Sequence, residues 1–250
     1  MGLGSFNKDR GGRGGADYES TLGALREQLA ELQLPQIAHG RRAIILFEGP
    51  PGAGKKNALK HLAAAFDPCH CAVHCVLHDR REAAEGHWLA RFWRELPVAG
   101  GTAIFFRSWY RRVLDDRLQG RIDKKSLARA FDEINEFEAQ QSDYGTLIVK
   151  LYFDVSAEVQ EARLQARSAN PWERVIRGEE EVLSVLDPGY SAALAELRAN
   201  TDTRWSPWRM IDSDDEPRAA LSALSAIADA WADAMPAEPP QLVGKPTRAA

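Results

Sequence analysis

Leu22, Leu25, Leu29 and Leu32 recur at helical spacing with Glu and Arg between them. This predicts an amphipathic helix that ends before Pro35. Ala43–Glu48, AIILFE, is a short apolar run of the kind a buried strand shows, and Gly49–Gly54 breaks it. From Lys55 to Phe66 the pattern turns helical, with Leu59 and Leu62 on one face. Further strands are expected at Cys71–Leu77, Thr102–Phe106, Leu147–Asp154 and near Trp208–Ile211. Helices are expected at Arg81–Glu95, in a charge-laced region reaching Gln141, and at Ala157–Ser168, Tyr190–Ala199 and Pro217–Ala234. Strands alternating with helices predict an α/β fold: a parallel sheet with helices on both faces.

Residues 1–17 are rich in Gly and charge, and the end from Met235 to Ala250 carries four prolines. Both are expected to lack a packed core, leaving one domain over 18–234. The formal net charge of −4 excludes a chain that binds nucleic acid by its overall charge, so a polyanion would need a local patch. No apolar run reaches the ~18–20 residues of a membrane span. The N-terminal stretch has no apolar core, so it does not read as a secretory signal, and a cytoplasmic location is expected. Cys69, Cys71 and Cys75 are too close together to staple a fold. They share Pro68–His78 with His70, His74 and His78, but on a strand the His and Cys sets face opposite ways, so no metal ligands are assigned.

Gly49-Pro-Pro-Gly-Ala-Gly-Lys55 fits the G-x-x-x-x-G-K pattern between a strand and a helix. Gly49, Gly52 and Gly54 would let backbone N–H groups turn toward phosphate oxygens, the helix N-terminus adds positive potential, and Lys55 would neutralise outer phosphates. The alternative is a Gly-Pro turn with a solvated lysine. Lys56 stands where a Ser or Thr usually ligates Mg²⁺. Between Arg107 and Lys125, seven basic side chains face three acidic ones. That segment could line a polyanion channel or be a solvated helix face.

Over about residues 20–232 the chain resembles the family-2 polyphosphate kinases. FEGPPGAGKKNALKHL matches the family's loop, G-x-D-x-x-G-K-G, at Gly49, Gly54, Lys55 and Lys60. FFRSWYRR resembles F-D-R-S-W-Y-N-R and keeps Phe105, Arg107, Ser108, Trp109, Tyr110 and Arg112. EGHWLARFWRELPVAGG, YFDVSAEVQEARLQARSANPWER and NTDTRWSPW resemble further family segments in the same order.

The resemblance implies a P-loop kinase-like sheet with a helical lid at about 163–189. It implies phosphoryl transfer between polyphosphate and nucleoside mono- or diphosphates, with Mg²⁺. Lys55, Arg107 and Arg112 become candidate catalytic residues. Gly49, Gly52, Gly54, Lys56, Lys60, Arg111, Arg117, Arg167 and Arg174 become candidate phosphate ligands, with no metal ligand assigned. A homo-oligomer, or pairing with a related kinase, is the expected assembly. Two family acids are replaced, by Pro51 and Phe106, and the lid's Trp-Lys is Val175-Ile176. Glu82 falls near another acidic position of the family. Because positioning and charge neutralisation are most of phosphoryl-transfer catalysis, these departures predict weakened or lost activity. A catalytically degenerate binding partner is the alternative. A different phosphotransferase that uses Asp115 or Asp116 as base is a third reading. Trp88, Trp93, Trp109, Trp205 and Trp208 could stack on a nucleobase, but packing is expected for most.

Overall fold

The computed structural model describes residues 13–76, 86–173 and 185–241. Five strands, β1 (Arg42–Glu48), β2 (Cys71–Cys75), β3 (Thr102–Phe106), β4 (Thr146–Asp154) and β5 (Trp208–Asp212), form one sheet in the order β2-β3-β1-β4-β5. Every pairing is parallel, with Ile45 opposite Ile104 on one side and Val149 on the other. β1 is central, and all its residues but the first are buried. Its unbroken apolar run follows from having both faces covered.

Alternate side chains of β1 enter two cores. Ala43, Ile45 and Phe47 pack under α1 (Arg13–Ala38), α2 (Lys55–Ala63) and the closing helix Glu216–Ala234. Ile44 and Leu46 pack under α3 (Ala90–Arg94), α5 (Lys124–Asp143) and α7 (Tyr190–Thr201). Between these lie α4 (Asp115–Leu118) and α6 (Ala157–Ser168), and the closing helix is α8. Each fully buried Leu, Ile or Phe stabilises the fold by roughly 1.5–3 kcal/mol, so these two layers fix the sheet that carries the site.

Several boundaries differ from the sequence reading, most of all in the first three helices. α1 does not stop before Pro35 but runs through it to Ala38, and it begins at Arg13, inside the stretch expected to lack structure. The missing proline N–H is offset by tertiary anchoring of the last turn. Gln36 Nε2 donates to Gly101 O at 3.0 Å and Thr102 Oγ1 at 2.9 Å, while Trp231 Nε1 donates to Gln36 Oε1 at 2.9 Å. α2 ends at Ala63, not Phe66. The helix expected over Arg81–Glu95 is only Ala90–Arg94 in the described part; Trp88 and Leu89 lie in a turn, and 77–85 fall outside the described residues.

The signature after β3 is not one long helix. A 3-10 turn, Trp109–Arg112, is capped by Ser108, and α5 is capped by Asp123, whose carboxylate accepts from Ser126 N. Trp109 and Tyr110 point into the core. Trp109 Nε1 and Tyr110 OH both donate to Glu138 Oε1, at 2.9 and 2.7 Å. Lys150 of β4 donates to Glu138 Oε2 at 2.9 Å, Thr201 O at 2.7 Å and Tyr110 OH at 3.0 Å. This buried network joins β4, α5, α7 and the turn that presents Arg107. In the Cys/His segment, His70 pairs with Asp67 and His74 with Glu95, and His78 lies outside the described residues.

Candidate phosphate site

β1 ends at Glu48, and the chain turns through Gly49–Gly54 into α2. Gly49 has φ 131°, and a methyl group there would stand 2.5 Å from Phe153 O, so the turn against β4 admits only glycine. Pro50 and Pro51 carry no N–H, and Ala53 N already donates to Pro50 O at 3.3 Å. Backbone donors for a phosphate, if one binds, would therefore come from the Gly52, Gly54, Lys55 and Lys56 side of the loop, where α2 begins.

Lys55 is buried, and its ammonium donates to Gly49 O at 2.6 Å and Pro50 O at 2.7 Å. Burial, and then the Arg107 charge, push its pKa well below the ordinary lysine value. The Phe106 ring centroid lies 5.7 Å from Lys55 Nζ, so an aromatic face stands beside the lysine.

Two acids complete the constellation. Glu48 is buried and accepts from Ser108 Oγ at 2.6 Å. Burial pushes its pKa up, although the Ser108 hydrogen bond and Arg107 oppose that shift. The sequence reading missed Glu48; its signal was an acid closing a buried apolar strand. Asp115 is buried too, paired with the Arg107 guanidinium and with Arg111 Nε at 3.3 Å. Arg107 adopts φ 63°, the left-handed region that non-glycine residues seldom enter. Its N–H donates to Phe47 O at 3.1 Å, which holds that turn against β1. Such local strain is found where a side chain must be aimed.

The structure thus gathers Lys55, Arg107, Arg111 and, by its charge at Lys55, Arg167. Arg112 and Arg117 belong to other pairs: Arg112 with Asp116 at 3.3 Å, Arg117 with Glu196 of α7 at 2.8 Å. Lys56 and Lys60 are exposed on α2, and Lys60 lies about 7 Å along the helix from Lys55. Arg174, Val175, Ile176 and Glu82 lie outside the described residues. α6 supplies two groups that the sequence did not single out. Gln160 Nε2 donates to Pro51 O at 2.8 Å, and Arg163 Nη1 donates to Gly52 O at 3.1 Å.

Residues 14–239 match the family described as Polyphosphate kinase 2 (PPK2). The chain belongs to the polyphosphate kinase 2 family. It is 31% identical over 215 residues to a polyphosphate:AMP phosphotransferase of Pseudomonas syringae pv. tomato, covering 86% of this chain and 43% of that relative. It is 32% identical over 212 residues to a GDP-polyphosphate phosphotransferase of Mycolicibacterium smegmatis, covering 84% of this chain and 74% of the relative. A polyphosphate kinase 2 structure from Arthrobacter aurescens TC1 matches with a TM-score of 0.82 at 25% identity, covering 97% of this chain and 91% of that one. The chain spans less than half the length of the polyphosphate:AMP phosphotransferases it matches.

The resemblance to polyphosphate kinase 2 enzymes raises the question of Mg²⁺, a hard cation that takes oxygen ligands. Among the described residues no group of three or more His, Cys, Asp or Glu could hold a metal ion. Glu48 is shifted toward its neutral form, and Asp115 is held by two guanidiniums. This donor set does not fit a resident Mg²⁺. No described helix is long and apolar enough to cross a membrane.

Proposed function

We propose that this polyphosphate kinase 2 chain binds polyphosphate and nucleotide phosphates at the Gly49–Lys55 loop, and that its transfer of phosphoryl groups between them is weak or absent. One observation carries the binding reading. Lys55, Arg107 and Arg111 converge beside two buried carboxylates, Glu48 and Asp115, with Asp115 already paired to both guanidiniums, so this cluster of three basic and two acidic groups is short of negative charge. A phosphate supplies that charge, and guanidinium and ammonium groups recognise it by charge-assisted hydrogen bonds. Lys55 would leave the carbonyls of its own loop for the outer phosphate, and Arg107 would share its fork between Asp115 and the ligand. Pro51 and Phe106 explain the low rate: neither orients a phosphate or its counter-cation, and Phe106 puts an apolar ring against Lys55.

A second reading, an active kinase, is favoured by the burial of Glu48 and Asp115 at the same site, where either could serve as the missing acid. A third, pairing with an active relative, is suggested by the greater length of the polyphosphate:AMP phosphotransferases. The test is a turnover assay with polyphosphate, Mg²⁺ and each of AMP, ADP, GMP and GDP. The natural protein is set beside the double variant Pro51→Asp/Phe106→Asp. Activity that appears or rises only in the double variant supports the proposal. Robust turnover by the natural protein establishes the second reading, with Glu48→Gln and Asp115→Asn naming the acid. Silence in both, with an altered rate of an active relative on mixing, establishes the third.

A further inference from the structure

Gln160 lies in α6 and is 2% exposed. Two hydrogen bonds of its amide to described residues fix its orientation. Nε2 donates to Pro51 O at 2.8 Å, and Oε1 accepts from Val185 N at 3.0 Å. Pro51 O can only accept and Val185 N can only donate, so the amide cannot be reversed. Val185 is the first described residue after 174–184, so this one side chain joins the tip of the phosphate loop to the chain where it returns. One turn along α6, Arg163 donates to Gly52 O at 3.1 Å, Ser213 O at 2.8 Å and Asp214 O at 3.0 Å. That guanidinium pins α6 to both the loop and the β5–α8 connection, so α6 itself has little room to shift. Gly52 packs against Gln160 as well: a methyl group there would stand 3.2 Å from Gln160 Cγ.

We propose that Gln160 is a positioning residue that transmits the state of the phosphate loop to the returning chain at Val185. A phosphate that draws on the loop's N–H groups fixes the Pro51 peptide. Pro51 O then holds Nε2, and the same planar amide presents Oε1 to Val185 N. Because the amide is rigid, firming one bond firms the other.

Hydrogen exchange at the Val185 amide reads this out. Its first arm, with inorganic tripolyphosphate as probe, rests on the phosphate reading of the loop; its second arm does not. Tripolyphosphate should slow Val185 exchange in the natural protein by up to about twofold, because it firms a hydrogen bond already made rather than adding one. Gln160→Glu keeps the acceptor for Val185 N but replaces the donor to Pro51 O with an oxygen. At neutral pH it should therefore lose the ligand-induced slowing. It should regain it as the pH is lowered and the introduced carboxyl carries a proton, each point being compared with the natural protein at the same pH. Equal slowing in both proteins at neutral pH overturns the inference. If tripolyphosphate does not bind the natural protein, the functional reading falls and the second arm decides. Gly52→Ala should accelerate Val185 exchange in the natural background and add nothing beside Gln160→Ala. The same acceleration in both backgrounds overturns the coupling.

Discussion

Lys150→Met tests the network beneath the site most severely. Lys150 and Glu138 are both fully buried, 2.9 Å apart. The lysine donates to Glu138, Thr201 O and Tyr110 OH, so its loss leaves one carboxylate and one carbonyl without their strongest donor. Removing one partner of a buried pair destabilises by about 3–5 kcal/mol, because the other charge stays buried and uncompensated. Trp109 Nε1 and Tyr110 OH still reach Glu138 Oε1, which sets the expectation at the lower end, about 3 kcal/mol. For a chain of this length each kcal/mol moves Tm by about 2–4 °C, so a fall of roughly 6–12 °C is expected. Thermal and urea unfolding would measure it, beside Glu138→Gln and the double variant. Removing both charges leaves an amide that still accepts from Trp109 and Tyr110. The double variant should therefore lose less than the sum of the singles, by about 1–3 kcal/mol. Strict additivity, or a loss below about 1 kcal/mol in Lys150→Met, would refute the claim that the pair holds the turn presenting Arg107.

Gly49→Ala should cost roughly 3 kcal/mol or more in urea unfolding, because its methyl meets the Phe153 carbonyl at 2.5 Å on a backbone at φ 131°. Gly86→Ala, at φ 137° with nothing within 4 Å, should show the backbone strain alone; equal losses would remove the close approach from the account. Phosphate binding should be accompanied by proton uptake at Lys55. Its pKa is lowered by burial and Arg107, so the folded protein binds fewer protons here than the unfolded chain as pH approaches 10.5. The group's contribution to stability is accordingly full above that value and is lost as pH falls through the lowered one. A bound anion raises the lysine pKa again, so uptake should peak between the lowered pKa of the free protein and the raised pKa of the complex, and vanish well above and well below them. Calorimetry in buffers of different ionisation enthalpy would detect it. Lys55→Ala should abolish that uptake and weaken affinity by about one to two decades.

Much of this molecule is written locally. The run Ala43–Phe47 is apolar throughout because β1 is covered on both faces, and Gly49 just beyond it marks the one residue type whose backbone can pass Phe153. The bounds of β3 and α6 are legible to the residue, β3 as a short apolar run buried at four of its five positions and α6 as a helix-forming stretch opened by its Ser156 cap. The ordered motifs also suffice to name the family, because a family match sums many short-range constraints along the chain.

What the tertiary structure alone decided is pairing between distant segments. α1 survives Pro35 because Gln36 is gripped by residues 65 and 195 positions away, which no local propensity encodes. Glu48 meets Ser108, 60 residues away, because β1 and β3 lie side by side and end together. The same assembly separated Arg112 and Arg117 from Arg107, although all three sit in one basic run. Gln160 reaches Pro51 across 109 residues. Charge and hydrogen-bonding capacity are visible in a sequence, but their partners are not. A partner is chosen by which strands neighbour each other and by the cost of leaving a buried polar group unpaired.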